Sequence, residues 1–350
     1  MPSKEGLVSI IVPCFNVVGK AERLLASLDA APAFVAEIVF VNDGSQDATA
    51  DQLAAYCAEQ DARYRMITIA NAGPGGARNA GFDATSAAYV WFVDADDEVD
   101  LRAVEAALPT IREHAPDVVD FDVWKKRRRT NSIAFSRGLY DLEHQEDLRE
   151  RFVAQPGHMW TKVLKRAFLS EHALRFTERY FLEDVPHPFS VAVLANTLLK
   201  VEKAAYYYHE DLPSIMRGRL TLRALDLQHM AAAVLAFARE RGLEGCLKAR
   251  ALRWFDFLFF EEFVRHWVPA RPLTAFRLVG PLLAWRRELL GSDVTPAFAP
   301  IPVVTWRNLL LKSVAFGLWC TFGPVSYLYR KPGDYFARVH DQAWRTPWQR

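Results

Sequence analysis

The stretch YVWFVDADDEVD, residues 89–100, places a mostly apolar run directly before a cluster of acids. Residues 89–93 have the pattern of a strand that is buried on both faces of a parallel sheet. The acids that follow are Asp94, Asp96, Asp97, Glu98 and Asp100. Carboxylates that repel one another at the end of a buried strand are costly when nothing compensates their charge. The stretch therefore predicts a strand whose carboxyl end belongs to a functional site.

Two interpretations of the acid cluster remain open at this point. Asp96 or Asp97 can cap the helix predicted after the cluster, with Glu98 and Asp100 favouring its first turn. Capping does not explain Asp94, which still belongs to the end of the strand. A D-x-D pattern of hard oxygen ligands suits Mg²⁺ or Mn²⁺, which share their remaining positions with phosphates and water. Asp94 and Asp96 are therefore the candidate metal ligands.

The strand that carries the acids is the fourth in a series of alternating strands and helices. Strands are predicted at residues 7–13, 37–45, 65–71 and 89–97, and helices at residues 21–28, 48–59, 77–84 and 101–114. This alternation is typical of a doubly wound α/β sheet with right-handed crossovers. Because ligands bind beyond the carboxyl ends of strands in such sheets, we expect the acids to face a binding crevice.

Two other strand ends are expected to face the same crevice. The second strand leads into VNDGS, where Asp43 is either an ordinary turn residue or a ligand-binding acid. The third leads into NAGPGGARNAG, which contains Gly73, Gly75 and Gly76 before Arg78. Backbone N–H groups of such a loop, together with an arginine, can bind phosphate, although a plain turn explains the glycines equally well.

Composition excludes several classes of protein. The 43 basic and 42 acidic residues give a net charge of +1, so the overall charge of the protein does not favour binding to nucleic acid. A hydrophobic fraction of 51% indicates a globular protein rather than a disordered one, and the length of 350 residues predicts two domains. The four cysteines lie far apart without a C-x-x-C pair, which predicts a reducing cytosol, no disulfide framework and no zinc site.

The C-terminal part of the chain has a different pattern. Apolar residues recur at helical spacing from residue 221, so residues 1–220 are predicted as one α/β domain and residues 221–350 as a helical region. Residues 305–331 are apolar and aromatic with basic edges, but their uncharged stretch is shorter than the about 20 residues of a membrane span. They are predicted to lie on an anionic membrane surface or to pack on the protein's own helices, with a span as the remaining alternative.

Together these motifs resemble the inverting family 2 glycosyltransferases of the bacterial capsular and surface-polysaccharide type. The matching motifs, within about residues 6–220, are VSIIVPCFN, VNDGSQDAT, NAGPGGARNAG, WFVDADD, MWTKVLKRAFLSEHALRF and FLEDVPHPF. The resemblance implies a Rossmann-like GT-A domain with a mixed, mostly parallel sheet. It also implies an enzyme that moves a sugar from a nucleotide-sugar donor, usually a UDP-sugar with Mn²⁺ or Mg²⁺, to a saccharide or lipid-linked saccharide acceptor. Such an enzyme is expected in the cytoplasm or peripherally on the inner face of the plasma membrane.

The resemblance also implies roles for single residues. The donor-binding residues would be Pro13, Phe15, Asn16, Asp43, Gly75, Arg78, Asp94, Ala95 and Asp96. Phe15 would lie beside the base, Asp43 would accept from the uracil imide, and Arg78 would lie near the base and diphosphate. Asp96 would bind the metal directly, with Asp94 near ribose or metal. Asp184, next to Glu183, would be the catalytic base, because an attacking acceptor hydroxyl needs a carboxylate within hydrogen-bond reach.

Five residues are candidates for contacts to the acceptor. The candidate acceptor residues are Trp160, Lys162, His187, His209 and Arg217. Trp160 can instead pack in the core, His187 can be a surface histidine, and the Glu183–Asp184 pair can be a plain helix start. A non-catalytic nucleotide-sugar-binding scaffold of a polysaccharide assembly complex and a polyprenyl-phosphate glycosyltransferase are the alternative functions.

A run of five consecutive basic residues, Lys125–Arg129, follows a strand predicted at residues 117–124. The run is predicted to be a solvated loop or a hairpin tip. Binding to an acidic or phosphorylated acceptor, or to anionic lipid, is the alternative that the run leaves open.

Overall fold

The computed structural model describes residues 6–125, 128–178, 183–184, 186–209, 226–243 and 283. The chain divides into two units, Met1–Pro213 and Ser214–Arg350. The predicted boundary after residue 220 stays a prediction, and each unit is considered by itself.

The described part of the first unit contains ten strands and eight α-helices. The strands are β1 (Val8–Cys14), β2 (Val35–Asn42), β3 (Tyr64–Thr68), β4 (Tyr89–Phe92), β5 (Glu98–Val99), β6 (Val118–Lys125), β7 (Arg128–Thr130), β8 (Gly138–Asp141), β9 (Lys162–Lys165) and β10 (Thr197–Tyr208). The helices are α1 (Glu22–Leu28), α2 (Thr49–Glu59), α3 (Gly73–Asp83), α4 (Leu101–Glu105), α5 (Leu108–His114), α6 (Glu146–Ala154), α7 (Arg166–Glu171) and α8 (Pro186–Leu194). A 3₁₀ turn, Met159–Thr161, precedes β9.

These strands form one mixed sheet in the order β3-β2-β1-β4-β9-β6-β10-β5, with β7 on β6 and β8 on β10. Strands β1 to β4 are parallel, and β6 is parallel to β10. Strand β9 runs antiparallel between β4 and β6, so β4 and β6 point the same way. The mixed, mostly parallel sheet predicted from the sequence is therefore confirmed, and the carboxyl ends of β1, β2, β3, β4, β6 and β10 meet at one edge.

The apolar runs of the sequence form the core of this sheet. Ile10 and Ile11 in β1 and Val90 and Trp91 in β4 are fully buried, because helices cover both faces of the parallel strands. Helix α1 buries the apolar stripe that the sequence predicts, and Leu24 is fully enclosed.

Two predicted helices differ from the structure. The helix predicted at residues 101–114 is divided into α4 and α5, because Pro109 in the first turn of α5 has no N–H to donate across the break. The helix predicted from residue 77 begins at Gly73 instead. Its start is stabilised by the Asp43 carboxylate, which accepts from the Ala72 and Gly73 N–H groups.

The described residues of the basic run, Lys125, Arg128 and Arg129, lie on two paired strands, which agrees with the predicted hairpin. Strands β6 and β7 pair antiparallel, and Lys125 lies opposite Arg128. Residues 126 and 127 lie outside the described residues.

The second unit is described over residues 226–243 and 283. Helix α9 (Asp226–Arg239) lies within the region predicted as helical and buries Met230, Val234 and Leu235. None of the helices in the described ranges is long and apolar enough to cross a membrane. The membrane-surface prediction for residues 305–331 concerns residues outside those ranges.

Candidate active site

The acids after β4 form a turn, Asp94–Asp97, that we call the acid turn. It is held against the end of β10 by hydrogen bonds. The Asp94 N–H donates to the Tyr206 hydroxyl over 3.2 Å, and that hydroxyl donates to Asp97 Oδ2 over 2.6 Å. The His209 N–H donates to Asp97 Oδ1 over 2.9 Å. The acid turn is thus a fixed structure at the carboxyl edge of the sheet.

Asp97 is the buried member of the acid turn, with 2% of its surface exposed. Its pKa is raised to about 8, first by burial and then by the charge of Asp94, with a smaller contribution from Asp96. The hydrogen bonds from Tyr206 and His209 oppose this rise. The repulsion that the sequence predicts is therefore present in the folded turn.

Helix capping is done by a different acid from the two predicted. Asp100 is the N-cap of α4, and its carboxylate accepts from the Arg102 N–H over 2.9 Å. The prediction that Asp96 or Asp97 caps this helix is wrong, because β5 separates them from it and Asp97 binds β10 instead. The acid turn is consequently left for another role.

Arg78 connects the acid turn to the Glu183–Asp184 pair. Its Nη2 donates to Asp94 Oδ1 over 2.8 Å, and its Nη1 donates to Glu183 Oε1 over 2.5 Å. Only 5% of Arg78 is exposed. Burial lowers the pKa of the guanidinium, but the charges of Asp94, Glu183 and Asp184 outweigh it and hold that pKa above its usual range. Both terminal nitrogens thus bind carboxylates, so this arrangement does not support the phosphate clamp predicted for Arg78.

The glycines of α3 allow a close approach of the segment before Glu183. A Cβ on Gly75 would lie 2.3 Å from the Thr177 carbonyl oxygen, so a larger residue would displace this segment. Asn79 holds the same segment: its amide donates to the Phe176 carbonyl and accepts from the Phe176 N–H, both over 3.0 Å. The glycine loop, predicted as a possible phosphate site, instead positions the chain that leads to the acidic pair.

Asp184 lies half-buried near the Arg78 guanidinium. Burial raises its pKa, Arg78 opposes that rise, and the charge of Asp94 adds to it. Burial likewise raises the pKa of Glu183, against the opposing ion pair with Arg78. A carboxylate whose pKa is raised accepts a proton more readily.

The segments that follow β1 and β2 are joined to each other by hydrogen bonds. Pro13 and Phe15 are half-buried, and Asn16 has the left-handed backbone angle φ of 51°. The Asn16 Oδ1 accepts from the Gln46 N–H over 2.9 Å, and the Asn16 backbone N–H donates to the Ser45 hydroxyl over 3.1 Å.

Asp43 is 2% exposed, and its Oδ1 accepts from the Ala72 N–H over 2.7 Å. Burial raises its pKa to about 6 despite the hydrogen bonds from Ala72 and Gly73. The structure thus gives Asp43 a local role at the start of α3. Its predicted contact with a base stays a prediction.

Trp160 and Lys162 are both enclosed. The Trp160 ring stacks on Tyr206 at 4.4 Å and on the exposed His158 at 4.5 Å between ring centres, which agrees with the alternative of core packing. Lys162 is fully buried, and its Nζ donates to Asp120 Oδ1 over 2.8 Å. The structure therefore places the Lys162 ammonium inside the protein, where an acceptor does not reach it.

Two further acceptor candidates are His209, which lies beside the acid turn, and Arg217. His209 lies at the end of β10, where its N–H holds Asp97 and its Nε2 lies 3.1 Å from Glu98 Oε2. Ala95 is buried within the acid turn. Arg217 lies outside the described residues.

His187 is buried and not on the surface, so the surface alternative is wrong. It is 3% exposed and stacks on Phe176 at 4.1 Å, because α8 packs its first turn against the segment that Asn79 holds. Among the described residues neither ring nitrogen has a hydrogen-bond partner. Burial, with the charges of Arg78 and Lys162, lowers the pKa of His187 to about 3.

Because His187 is buried in its neutral form, we expect the fold to lose stability at acidic pH, and we expect His187→Phe to reduce this loss. In the unfolded chain the pKa is near 6.5, so protons bind preferentially to the unfolded state as the pH falls from 6.5 towards 3. The stability that neutral His187 contributes is complete above pH 6.5 and decreases by about 2 kcal/mol on acidification to pH 5. Thermal unfolding at pH 7.5 and 5 should show a smaller fall in Tm for His187→Phe than for wild type. The exposed His144→Phe is the control, and equal falls in all three proteins would contradict the assignment.

Sequence reasoning missed a buried ionic network beside this site. Asp120 accepts from both Lys162 and Lys200, over 2.8 and 2.9 Å, and Lys200 also donates to Asp122 over 2.7 Å. The signal was present in DVVDFDVW, where acids two residues apart lie on the same face of an otherwise apolar strand. Their partners come from β9 and β10, which the local sequence does not indicate.

The acid turn has the chemistry of a site for a hard divalent cation. Asp94 and Asp96 are half-buried, and both raise the pKa of Asp97, so a cation there would relieve a repulsion that exists in the fold. Within the described ranges no group of three or more His, Cys, Asp or Glu side chains is arranged around a metal position. Mg²⁺ needs only one or two carboxylates when phosphate and water complete its shell. The two acids therefore fit Mg²⁺ or the similar Mn²⁺.

Comparisons with known sequences agree on one family. The family described as glycosyl transferase family 2 matches residues 9–172. The uncharacterized glycosyltransferase EpsJ of Bacillus subtilis is 32% identical over 254 residues, which cover 69% of this chain and 72% of EpsJ. The succinoglycan biosynthesis protein ExoO of Rhizobium meliloti is 30% identical over 322 residues, which cover 84% of this chain and 90% of ExoO.

A comparison with solved structures agrees on the fold. The crystal structure of residues 1–349 of TarS from S. aureus, in complex with UDP-GlcNAc, superposes with a TM-score of 0.63. It is 21% identical and covers 81% of this chain and 84% of the TarS chain. At this identity the likeness establishes a shared GT-A fold.

Proposed function

This chain belongs to the family 2 glycosyltransferases, as its motifs predict, and we propose that it transfers a sugar from a UDP-sugar to a saccharide or lipid-linked saccharide with inversion. One observation carries the proposal. The buried Arg78 guanidinium joins Asp94 of the acid turn to Glu183, so the proposed donor side and acceptor side meet around one group. The name of ExoO supports a role in surface-polysaccharide synthesis, and the UDP-GlcNAc bound to TarS supports a UDP-sugar donor.

In this proposal the residues divide the work between donor and acceptor. Pro13, Phe15 and Asn16 line the donor side beside the base. Asp94 and Asp96 would hold Mg²⁺ or Mn²⁺, which would supply positive charge next to the departing diphosphate. Asp43 supports the start of α3 next to the donor, and its carboxylate would also accept from the imide of the uracil ring.

Asp184 accepts the proton of the acceptor hydroxyl as that oxygen attacks the anomeric carbon. The nucleotide diphosphate leaves from the opposite side in the same step, so the configuration inverts. Arg78 holds Asp94 and Glu183 in place, and its positive charge opposes the rise in the pKa of Asp184. The catalytic contribution of the chain is therefore a positioned base next to a positioned donor.

A panel of nucleotide sugars tests this function. Purified protein with Mn²⁺ is expected to bind and turn over at least one UDP-sugar, and Asp96→Ala is expected to lose most donor affinity because a metal ligand is removed. Asp51→Ala, an exposed acid of α2, is the matched control and should behave as wild type. Absence of binding and turnover for every donor, with Asp96→Ala equal to wild type, would reject the proposal.

A further inference from the structure

We propose that Asn79 and Phe176 are positioning residues that set the place of the proposed base, Asp184. The inference rests on the proposed function and adds two residues to it. Both side chains are buried, and each acts through Asp184 rather than through a contact of its own with the sugar.

The first support is the spacing of residues on α3. Within GPGGARN, residues 73–79, Gly75 lies three and four positions before Arg78 and Asn79, a spacing that puts all three on one side of a helix. Arg78 Nη1 donates to Glu183 Oε1 over 2.5 Å. Gly75 allows this approach, since a Cβ on it would lie 3.0 Å from Glu183 Cγ. This side of α3 therefore contacts the acidic pair.

The second support is the pair of hydrogen bonds that Asn79 makes to backbone without regular secondary structure. Residues 174–177 belong to no helix or strand, and buried N–H and C=O groups need partners. Asn79 Nδ2 donates to the Phe176 carbonyl and Asn79 Oδ1 accepts from the Phe176 N–H, both over 3.0 Å. Alanine can make neither bond. One side chain thus fixes both backbone groups of Phe176.

The third support is the packing of the Phe176 ring between the two halves of the site. The ring packs edge-to-face on Phe92, two residues before Asp94, at 4.9 Å between ring centres. It also stacks on His187, three residues after Asp184, at 4.1 Å. Because protein interiors are closely packed, a displaced ring moves its neighbours. A shift of Phe176 would therefore move His187 and, with it, Asp184.

The Phe176 ring also borders the guanidinium that binds the acids. Arg78 Cζ lies 5.3 Å from the ring centre, and Arg78 itself binds Asp94 and Glu183. His187 makes no hydrogen bond through its ring nitrogens among the described residues. The position of the His187 side chain, in the first turn of α8, therefore depends on ring packing.

Asn79→Ala is expected to lower kcat by about 10–10²-fold, because misplacing a catalytic group by about 1 Å can cost that much. The loss should be smaller than for Asp184→Asn, and donor affinity should not change. Phe176→Leu keeps the backbone groups that Asn79 binds but removes the ring, and should lower kcat to a similar extent. Single-turnover transfer and donor calorimetry would measure the two quantities at a temperature where circular dichroism shows each variant folded.

Asp83→Ala is the matched control for these variants. Asp83 lies on the same helix and accepts from Arg175 of the same segment over 2.6 Å, but this ion pair is exposed. Its loss removes a contact between the same two segments without touching Asn79 or Phe176. The control should keep the kcat of wild type.

A double-mutant cycle shows whether Asn79 acts through the base. In the Asp184→Asn protein, Asn79→Ala should cause no further loss of kcat, because the group that it positions is already absent. A purely structural role would lower kcat by the same factor with and without Asp184, and this result would overturn the inference. Wild-type kcat in Asn79→Ala and Phe176→Leu would also overturn it. If Asn79→Ala does not fold, Phe176→Leu takes its place in the cycle.

Hydrogen exchange of α8 tests the inference without turnover. Exchange should be faster in Asn79→Ala than in wild type and Asp83→Ala, and equal exchange in all three proteins would contradict the inference. Failure of the nucleotide-sugar panel, or wild-type kcat in Asp184→Asn, would count against the proposed function instead. The exchange measurement would then still decide whether Asn79 holds α8.

Discussion

Asp184→Asn is expected to lower kcat by about 10²–10⁴-fold, the usual contribution of a general base, with little change in donor affinity. The amide is close in size to the carboxylate but cannot take a proton from the acceptor hydroxyl. Donor affinity should persist because the acid turn and its bond to Arg78 through Asp94 remain in place. Single-turnover transfer and donor titration by calorimetry would measure the two effects separately.

Glu183→Gln is the informative comparison for this variant. It keeps the shape of the side chain but replaces the buried ion pair with Arg78 by a neutral hydrogen bond. We expect a smaller loss of kcat than for Asp184→Asn, since Glu183 positions its neighbour and does not accept the proton. If Asp184→Asn turns over as fast as wild type, Asp184 is not the base. If neither wild type nor Asp184→Asn turns over a bound donor, this supports the interpretation of the protein as a non-catalytic scaffold.

Asp120→Ala is expected to destabilise the first unit by about 3–5 kcal/mol, the usual cost of leaving a buried charge without its partner. Asp120 is fully buried, and its two oxygens accept from Lys162 and Lys200. Their charges lower its pKa although burial, the largest single influence, raises it. Without Asp120 the Lys162 ammonium loses its only ion-pair partner among the described residues, while Lys200 keeps Asp122. Thermal and urea unfolding would measure the change.

The exposed Asp61, whose carboxylate lies 2.7 Å from the half-buried Arg63 guanidinium, is the control for this prediction. Asp61→Ala should change stability far less, because solvent screens an exposed ion pair. The double replacement Asp120→Leu/Lys162→Met should recover much of the loss, since it removes the Lys162 charge and leaves Lys200 paired with Asp122. A small effect of Asp120→Ala, equal to that of Asp61→Ala, would show that the network does not support the fold.

Local sequence predicted well where the physical cause is itself local. Apolar runs identified β1, β2, β3, β4 and β6 within a few residues, because burial on both faces of a strand demands such runs. The break between α4 and α5 also had a local signal in Pro109. The apolar periodicity continues through this proline, so periodicity alone predicts one helix.

Predictions of single-residue roles were less accurate where the partners are distant in sequence. Arg78 was predicted to contact phosphate, yet it binds Asp94 and Glu183, 16 and 105 residues away. His187 was predicted as exposed, and Lys162 as a sugar contact, although both are buried. A charged side chain can serve a ligand or an internal partner, and its identity alone does not distinguish the two.

The sequence by itself determined the sheet, the family and the placement of acids after β4, because strand burial and the motif order are written in consecutive residues. Only the tertiary structure decided which charges neutralise one another. A buried guanidinium must bind carboxylates, and those came from a strand end and a distant loop that the fold brings together.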